Sequence, residues 1–205
     1  MAADISEQKK LHVLIAGISW PPETFLGRLI DGLLNSGVRV TIASGSKPAR
    51  NWLKQPGFAW LPVPDTRRQL LQSAIPYTQN IIRAFIKKPA EFSRDWQLMQ
   101  QTKPGIDNTS SYTFKSLPFA GKVWDVVYFP WNSGAIQYEQ LFNLDIPVVI
   151  SCRGSQINIA PHNPNRQVFK EGLIRTLQKA TLVHCVSLAI LDEAENLGMD
   201  PTKAR

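Results

Sequence analysis

The chain has 205 residues, of which 43% are hydrophobic and 19% charged, and its formal net charge is +7 at pH 7. This length allows one well-filled hydrophobic core and is short of two ordinary domains. The 15 prolines and 12 glycines are scattered, with no low-complexity run and no internal repeat, so the composition indicates a globular protein and excludes repeat proteins.

The positive charge favours anionic partners, which include nucleic acid, phosphorylated substrates and acidic lipid. No zinc-ligand spacing, RNA-binding aromatic signature or recognition-helix pattern is present, so we expect no nucleic-acid partner. A basic solvated surface without a specific partner is the alternative. Residues 123–130, the longest apolar run, are too few to cross a bilayer, and residues 1–10 are polar, so we expect a cytoplasmic protein.

The first part of the chain predicts a strand–helix–strand unit. Residues 11–16 and 38–43 are short apolar runs typical of buried strands. Gly37 is suited to end the helix between them, because glycine tolerates left-handed backbone geometry. In such a unit the strands are parallel and the crossover is right-handed. Apolar residues recur between the two runs at helical spacing: Phe25, Leu26, Leu29, Ile30, Leu33 and Leu34.

The middle of the chain predicts a strand over residues 58–63, a helix over 70–86 interrupted by Pro76, and a helix over 89–101. Residues 82–92 mix basic and apolar side chains, which suits either a membrane surface or a core helix with a solvated basic face. Because Pro89 interrupts this segment, the core helix is the preferred interpretation. The polar stretch 102–122 is predicted to be a loop.

The last part of the chain predicts three more strands and three helices. Ser187 is suited to cap the last helix and Gly198 to end it. Cys152 and Cys185 fall in two of the strands and are expected to be reduced structural thiols. The strands cover residues 124–129, 148–152 and 181–186, and the helices cover 133–142, 167–177 and 188–197.

This alternation predicts an α/β fold, with a Rossmann-like, mostly parallel sheet and helices on both faces, as one domain over residues 1–205. Ligands of open parallel sheets bind beyond the carboxyl ends of the strands. Three strand-to-helix loops are therefore candidate parts of a site: residues 17–27, 130–134 and 153–166.

The first of these loops carries neither a dinucleotide fingerprint nor a P-loop. It places Glu23 and Thr24 at the start of a helix. In the structural interpretation, Thr24 caps the helix and Glu23 balances the helix dipole.

The third loop, which begins at Arg153, is dense in polar residues. Arg153 can bind an oxyanion through two parallel hydrogen bonds, and Gly154 permits close backbone approach. Such a loop suits sugar hydroxyls or phosphate; the alternative is a surface loop whose arginine pairs with a carboxylate. His162 is expected to be solvated, whereas His12 and His184 are expected within the sheet.

Three segments resemble the GT-B glycosyltransferases of family 4, in the branch that builds bacterial exopolysaccharides and colanic-acid-type polymers. PETF (residues 22–25), followed by IDGLLNSGVRVTI, is similar to the opening of that branch. PVVISCRGSQI (residues 147–157) resembles the family's strand that ends in His-Gly or Arg-Gly. Residues 179–205 resemble the family's segment before the interdomain linker.

The resemblance implies the N-terminal half of a GT-B fold, the acceptor-side domain of a retaining transferase used in polysaccharide or glycan biosynthesis. The donor-binding domain would lie outside this sequence, and the domain alone would be inactive. The implied donor is a nucleotide sugar, and the implied acceptor is a sugar or lipid-linked hydroxyl. No cofactor and no metal are implied. We also expect contact with an anionic membrane at its inner face.

The family's motifs carry site residues over to this chain, where an arginine stands for the usual histidine. Arginine cannot act as a base at neutral pH, so no catalytic residue is assigned and a binding role for acceptor or phosphate is expected. The substrate-binding residues are expected to be Glu23, Thr24 and Gly27 near the sugar and diphosphate, with Arg153, Gly154, Ser155 and Gln156 beside the acceptor.

Other classes of function fit the same alternation of strands and helices. A non-catalytic, nucleotide- or sugar-binding Rossmann-like module is the main alternative. An inverting GT-B transferase and a nucleotide-sugar epimerase are further alternatives. The missing GxGxxG after Ala16 argues against the epimerase.

Overall fold

The computed structural model describes residues 10–102 and 109–205. Within them, six parallel strands form one sheet in the order β3-β2-β1-β4-β5-β6. The predicted α/β Rossmann-like fold is therefore confirmed. The strands are β1 (His12–Ile15), β2 (Arg39–Ser44), β3 (Phe58–Pro62), β4 (Val126–Phe129), β5 (Val148–Cys152) and β6 (Leu182–Cys185).

Helices connect the strands and cover both faces of the sheet. Short 3-10 segments lie at Leu117–Phe119, Glu139–Asn143, Ala160–His162, Pro164–Arg166 and Pro201–Lys203. The α-helices are α1 (Thr24–Asn35), α2 (Arg50–Leu53), α3 (Arg67–Lys87), α4 (Pro89–Gln100), α5 (Thr109–Ser116), α6 (Asn132–Gln137), α7 (Ser155–Asn158), α8 (Gln167–Lys179) and α9 (Leu188–Asn196).

Alternate residues of the strands enter two separate cores, because successive side chains of a strand point to opposite faces. On one face, Ile15 and Ile42 pack against Leu26 and Ile30 of α1. The larger core on the opposite face takes Leu14 from β1 and receives side chains from α6, α8 and α9.

Helix α3 runs through Pro76 without a break, so the predicted interruption is wrong. The helix starts from a capping box, in which the Thr66 side chain accepts from the Gln69 amide and the Gln69 side chain accepts from the Thr66 amide. The buried side chains Tyr77 and Ala84 pack on the core beyond the proline. This packing outweighs the hydrogen bond that a proline removes from a helix.

The predicted loop over 102–122 is wrong where the structure describes it, since α5 and the turn Leu117–Phe119 lie there; residues 103–108 fall outside the described residues. Burial of Phe119 and Tyr112 explains the order of this polar segment. Tyr77 in α3 also donates a hydrogen bond of 2.9 Å to the carbonyl of Phe114.

Two predicted boundaries also change. The helix expected over 133–142 ends at Gln137 and continues as the 3-10 segment Glu139–Asn143, and the loop expected over 153–166 contains α7 and two 3-10 turns. The other predicted strands and helices are confirmed within a few residues, including the caps at Ser187 and Gly198.

The last residues of the chain lie along the outer edge of β6. Ala204 forms a parallel bridge with Val183. The Arg205 amide donates to the Val183 carbonyl at 3.0 Å, and the Cys185 amide donates to the Arg205 carbonyl at 3.1 Å. The sheet therefore gains the beginning of a further strand at this edge.

None of the helices in the described parts of the chain is long and apolar enough to span a bilayer.

Candidate functional site

A cleft of about 280 Å³ opens between the loops that follow β1 and β4. The strand order reverses between these two neighbouring strands, and such a reversal is where open α/β sheets bind ligands. The three loops proposed from the sequence all line the cleft: the first contributes Glu23 and Leu26, the second Trp131 and Ser133, and the third Gln156. The prediction that these loops meet is confirmed.

Gly17 and Gly134 hold the first two loops in backbone contact. A Cβ added to Gly134 would lie 2.8 Å from the Gly17 Cα and 2.9 Å from the Gly17 carbonyl oxygen. Gly17 also has a φ of 71°, a conformation that favours glycine. The cleft therefore has a backbone wall at this point, which only two glycines allow.

Helix α1 begins at the cleft. Glu23 is its N-cap residue and makes no side-chain capping bond, so the expected cap by Thr24 is wrong and Thr24 is the first helical residue. The Gly27 amide donates to the Glu23 carbonyl at 2.9 Å. The Glu23 side chain is exposed and lines the cleft, whereas Thr24 and Gly27 are not among the lining residues.

Arg153 follows β5 and stacks on two aromatic rings; it is not itself among the residues that line the cleft, but one of the two rings, Trp131, is. Its guanidinium carbon lies 4.4 Å from the centre of the Phe25 ring and 5.5 Å from that of Trp131. Its Nη2 donates to the Ser151 hydroxyl at 3.1 Å, and its buried Nε has no hydrogen-bond partner among the described residues. The alternative that Arg153 pairs with a carboxylate finds no support in the described parts of the chain.

Ser151 connects Arg153 to the neighbouring strands. This fully buried hydroxyl lies 2.7 Å from Nδ1 of His184 in β6 and accepts from the Tyr128 hydroxyl of β4 at 3.3 Å. The guanidinium is thus fixed both by the aromatic rings and by a hydroxyl that belongs to the sheet. Such an arrangement keeps a permanent positive charge in one place.

The third loop turns at Gly154, whose φ is 60°. No atom lies within 4 Å of a Cβ added there, so the glycine is needed for backbone conformation and not for space. Ser155 begins α7 and is exposed. The Gln156 side chain reaches across the cleft and accepts a hydrogen bond of 2.9 Å from the Ser133 amide. Gln156 therefore ties the third loop to the second.

Cys152, which precedes Arg153 in the chain, is not a nucleophile of this site. Cys152 and Cys185 face each other on β5 and β6, and both are free thiols. The hydrogen bond between the two thiols and the burial of Cys152 raise the pKa of Cys152. A buried thiol that keeps its proton is unsuited to attack a substrate.

Of the three histidines, His184 is linked to Arg153 through the Ser151 hydroxyl. His12 in β1 is hydrogen-bonded to the Thr41 hydroxyl at 2.8 Å, as expected of a residue within the sheet. His162, which was expected to be only solvated, pairs with Glu193 of α9 at 2.6 Å.

Sequence reasoning missed the aromatic residues of the site. Phe25 and Trp131 pack edge to face with a centroid distance of 5.7 Å, and both contact Arg153. Phe25 was assigned to an apolar helix face and to the segment that resembles the family's opening, but not to the site. The available signal for Trp131 was a large aromatic residue directly after a buried strand, in a loop already selected as part of the site.

No protein-family model matches the sequence, and no curated protein is detectably similar to it.

Solved structures of Anabaena Alr3699/HepE are similar to this chain. The complex with UDP-glucose has a TM-score of 0.53 and 14% sequence identity, covering 95% of this chain and 43% of that chain. The complex with UDP has a TM-score of 0.51 and 14% identity, covering 96% and 43%. At this level of identity the likeness is one of fold. This chain spans less than half the length of the similar protein.

Proposed function

We propose that the chain is the N-terminal, acceptor-side domain of a GT-B glycosyltransferase, which moves a sugar from a nucleotide sugar to a hydroxyl acceptor. The observation that carries this proposal is Arg153, a fixed cation held by Phe25 and Trp131 beside the cleft, with no carboxylate partner among the described residues. A guanidinium of this kind is suited to bind phosphate. HepE, which shares this fold, binds UDP-glucose and UDP.

The length of the similar protein supports a site shared with a second domain. The cleft, at about 280 Å³, is close to the lower end of the range of about 300–1,000 Å³ usual for small-molecule pockets. We infer that the cleft holds one part of the reactants and that a donor-binding domain outside residues 1–205 holds the nucleotide. The similar protein, which is more than twice as long, agrees with this inference.

The residues carried over from the family's motifs take the following roles in the proposal. Glu23, Thr24 and Gly27 lie near the transferred sugar and the diphosphate. Arg153 and Gly154, with the neighbouring polar residues Ser155 and Gln156, bind the acceptor or a phosphate. Because arginine keeps its charge at neutral pH, Arg153 binds an anion and removes no proton.

The proposed reaction belongs to family 4 and retains the anomeric configuration. The acceptor hydroxyl attacks from the face at which the nucleoside diphosphate leaves, so stabilisation of the departing phosphate charge matters more than a strong base. The reaction needs neither a metal nor a cofactor. The acceptor is a sugar or a lipid-linked hydroxyl of polysaccharide synthesis, used in the cytoplasm at the inner face of a membrane.

The test measures release of nucleoside diphosphate from UDP-, GDP- and ADP-sugars by the protein that carries both domains. We expect one donor to be used, and Arg153→Ala to lower kcat by about 100-fold, the usual cost of removing one group that stabilises transition-state charge. Arg166→Ala is the matched control, because Arg166 is an exposed arginine of the same loop. The anomeric configuration of the product, read by NMR, tests retention.

Two outcomes would count against the proposal. Equal activity of the Arg153→Ala and Arg166→Ala variants would show that Arg153 has no role in the reaction. Tight binding of a nucleotide sugar by the folded protein, without diphosphate release in the presence of sugar acceptors, would favour the non-catalytic binding module.

A further inference from the structure

Helix α3 (Arg67–Lys87) has a buried face and, opposite it, an exposed apolar face. Tyr77 and Ala84 pack on the core. At 3.6 residues per turn, the side chains of residues 71, 75, 82, 85 and 86 fall within an arc of about 100° on the other side of the helix. We call this set the α3 stripe: Leu71, Ile75, Ile82, Phe85 and Ile86.

The α3 stripe is strongly exposed. The exposed fraction is 81% for Leu71, 72% for Ile75 and 71% for Ile86, and about half of Ile82 and Phe85 is also accessible. Single exposed apolar residues are ordinary, whereas a contiguous set on one face marks a binding surface. From residue 71 to residue 86 the stripe is about 22 Å long. None of its members lines the cleft.

The helix that carries the stripe has positively charged residues and no acidic ones along its length. Between residues 66 and 90 the sequence has no aspartate or glutamate, and it has five cations: Arg67, Arg68, Arg83, Lys87 and Lys88. Lys88 pairs with Glu91 at 2.5 Å. Within the described parts of the chain, the other four make no ion pair.

Lys122 adds a further charge on one flank of the helix. Its Nζ donates to the carbonyl of Asn80 in α3 at 3.4 Å. Burial, followed by the nearby charges of Arg83 and Lys87, lowers the pKa of Lys122. Arg83 and Lys87 therefore lie close enough to repel Lys122, and an anion placed against this flank would relieve that repulsion.

We propose that the α3 stripe and its flanking cations bind the surface of an anionic lipid bilayer. The helix lies in the plane of the interface, the five apolar side chains enter the boundary between headgroups and acyl chains, and the cations contact lipid phosphates. This surface is separate from the cleft, so the inference adds a second binding surface to the membrane location named in the proposed function, and it holds whether or not the chain transfers a sugar.

Charge also selects the bilayer over a second copy of the chain. A symmetric dimer through the α3 stripe would bring two identical sets of cations together without a compensating acid between residues 66 and 90. A bilayer rich in acidic lipid supplies both the apolar phase and the opposite charge.

The test is co-sedimentation of the chain with vesicles of phosphatidylcholine alone or phosphatidylcholine mixed with phosphatidylglycerol. We expect the partition coefficient to be at least about tenfold higher for the mixed vesicles, since each cation near an anionic surface favours binding. High salt should reduce the difference, because salt screens exposed charges.

Two pairs of variants separate the α3 stripe from the rest of the surface. Ile75→Ser with Ile86→Ser should lower partition by about tenfold or more, because both side chains lose their apolar burial in lipid. Val168→Ser with Leu188→Ser is the control, since both residues are exposed but lie on α8 and α9. Arg83→Gln with Lys87→Gln should also lower partition about tenfold. Arg28→Gln with Lys54→Gln is the control for charge, since both residues are exposed cations outside α3, Arg28 in α1 and Lys54 at the end of α2. Circular dichroism checks that each variant is folded.

Several results would overturn the inference. They are failure of the unmodified chain to bind the mixed vesicles, equal binding to vesicles of phosphatidylcholine alone, and equal loss in the control variants. A dimer detected by light scattering that dissociates in the Ile75→Ser, Ile86→Ser variant would identify the α3 stripe as an interface between copies, which also contradicts it.

Discussion

Gly134 lies against Gly17 so closely that a methyl group on Gly134 would come within 2.8 Å of the Gly17 Cα. This contact joins the loop after β1 to the start of α6 and sets the distance between two walls of the cleft. The atoms that an added methyl group would meet belong to the Gly17 backbone, which cannot move aside as a flexible side chain could.

We therefore expect Gly134→Ala to lower the free energy of unfolding by about 1–3 kcal/mol, the usual cost of an added methylene in a packed region. Urea unfolding measures the change. Gly32→Ala is the control, because Gly32 lies within α1 with no atom within 4 Å of an added Cβ. It should raise the unfolding free energy by about 0.5–1 kcal/mol. Equal effects of the two substitutions would show that the contact is not tight.

The second prediction concerns Phe25, which lies under the guanidinium of Arg153. Phe25→Leu keeps an apolar side chain and removes the aromatic face, which is worth about 0.5–2 kcal/mol to a cation. Under the proposed function, Phe25 holds Arg153 in place, so Phe25→Leu should lower the rate of nucleoside diphosphate release by the two-domain protein about 2- to 30-fold. Phe114→Leu, an exposed aromatic on α5, should leave this rate unchanged. A matching loss in both variants would contradict the role of Phe25.

The third prediction concerns the ion pair between Glu139 and Arg175. Nε and Nη2 of Arg175 donate to the two oxygens of Glu139 at 2.9 and 3.0 Å; the Glu139 side chain is 6% exposed and that of Arg175 is 43% exposed. Arg175→Met leaves a buried carboxylate whose remaining cation, within residues 10–102 and 109–205, is Lys179 at 3.8 Å, and it should cost about 3 kcal/mol of unfolding free energy.

Glu139→Gln should cost less, about 1 kcal/mol, because it leaves a cation that water already reaches. The double variant should lose less than the sum of the single losses, since one interaction is removed in both. Urea unfolding of the three variants tests whether Arg175→Met loses more unfolding free energy than Glu139→Gln. A larger loss in Glu139→Gln would contradict this prediction.

The fourth prediction concerns pH. Burial, followed by the charge of Arg39, lowers the pKa of His12 from its usual value of 6.5 in the folded protein. Protonation of His12 therefore favours the unfolded chain. The stability contributed by neutral His12 is complete above pH 6.5 and is lost as the pH falls through the lower pKa of the folded state.

His12→Gln removes this titration and keeps a polar side chain next to Thr41. The unfolding free energy of the unmodified chain should thus decline more steeply than that of the variant as the pH falls below 6.5. Parallel urea series at several pH values give the comparison. Identical slopes would exclude His12 as a source of acid sensitivity.

Much of this architecture can be predicted because local sequence patterns determine it. Apolar runs such as residues 148–152 predict buried strands, and the general rule for parallel sheets leads from them to the three loops of the cleft. Arg153 and Glu23 were selected in that way. The stacking of Phe25 and Trp131 on Arg153 could not be predicted from the sequence. Phe25 is more than a hundred residues away from Arg153 in the chain, and the two side chains meet only after folding.

The buried face of helix α3 could not be predicted either. Its periodicity identifies a helix, but apolar residues occur on more than one face, so the sequence alone does not tell which face is buried. For residues 82–92 we expected exposed basic side chains and buried apolar ones. The basic side chains of α3 are exposed, as expected. Ile82, Phe85 and Ile86 are not buried, because Tyr77 and Ala84 occupy the side of the helix that faces the core.

The contact of the last residues with β6 affects how the chain behaves at high concentration. An uncovered edge strand offers unpaired amides and carbonyls on which strands of other molecules can add and aggregate. Val183 and Cys185 have already used these groups with Arg205. At the other edge, β3 ends in Pro62, which cannot donate to a ladder. Deletion of residues 201–205 should therefore increase aggregation, even though it removes no residue of the cleft.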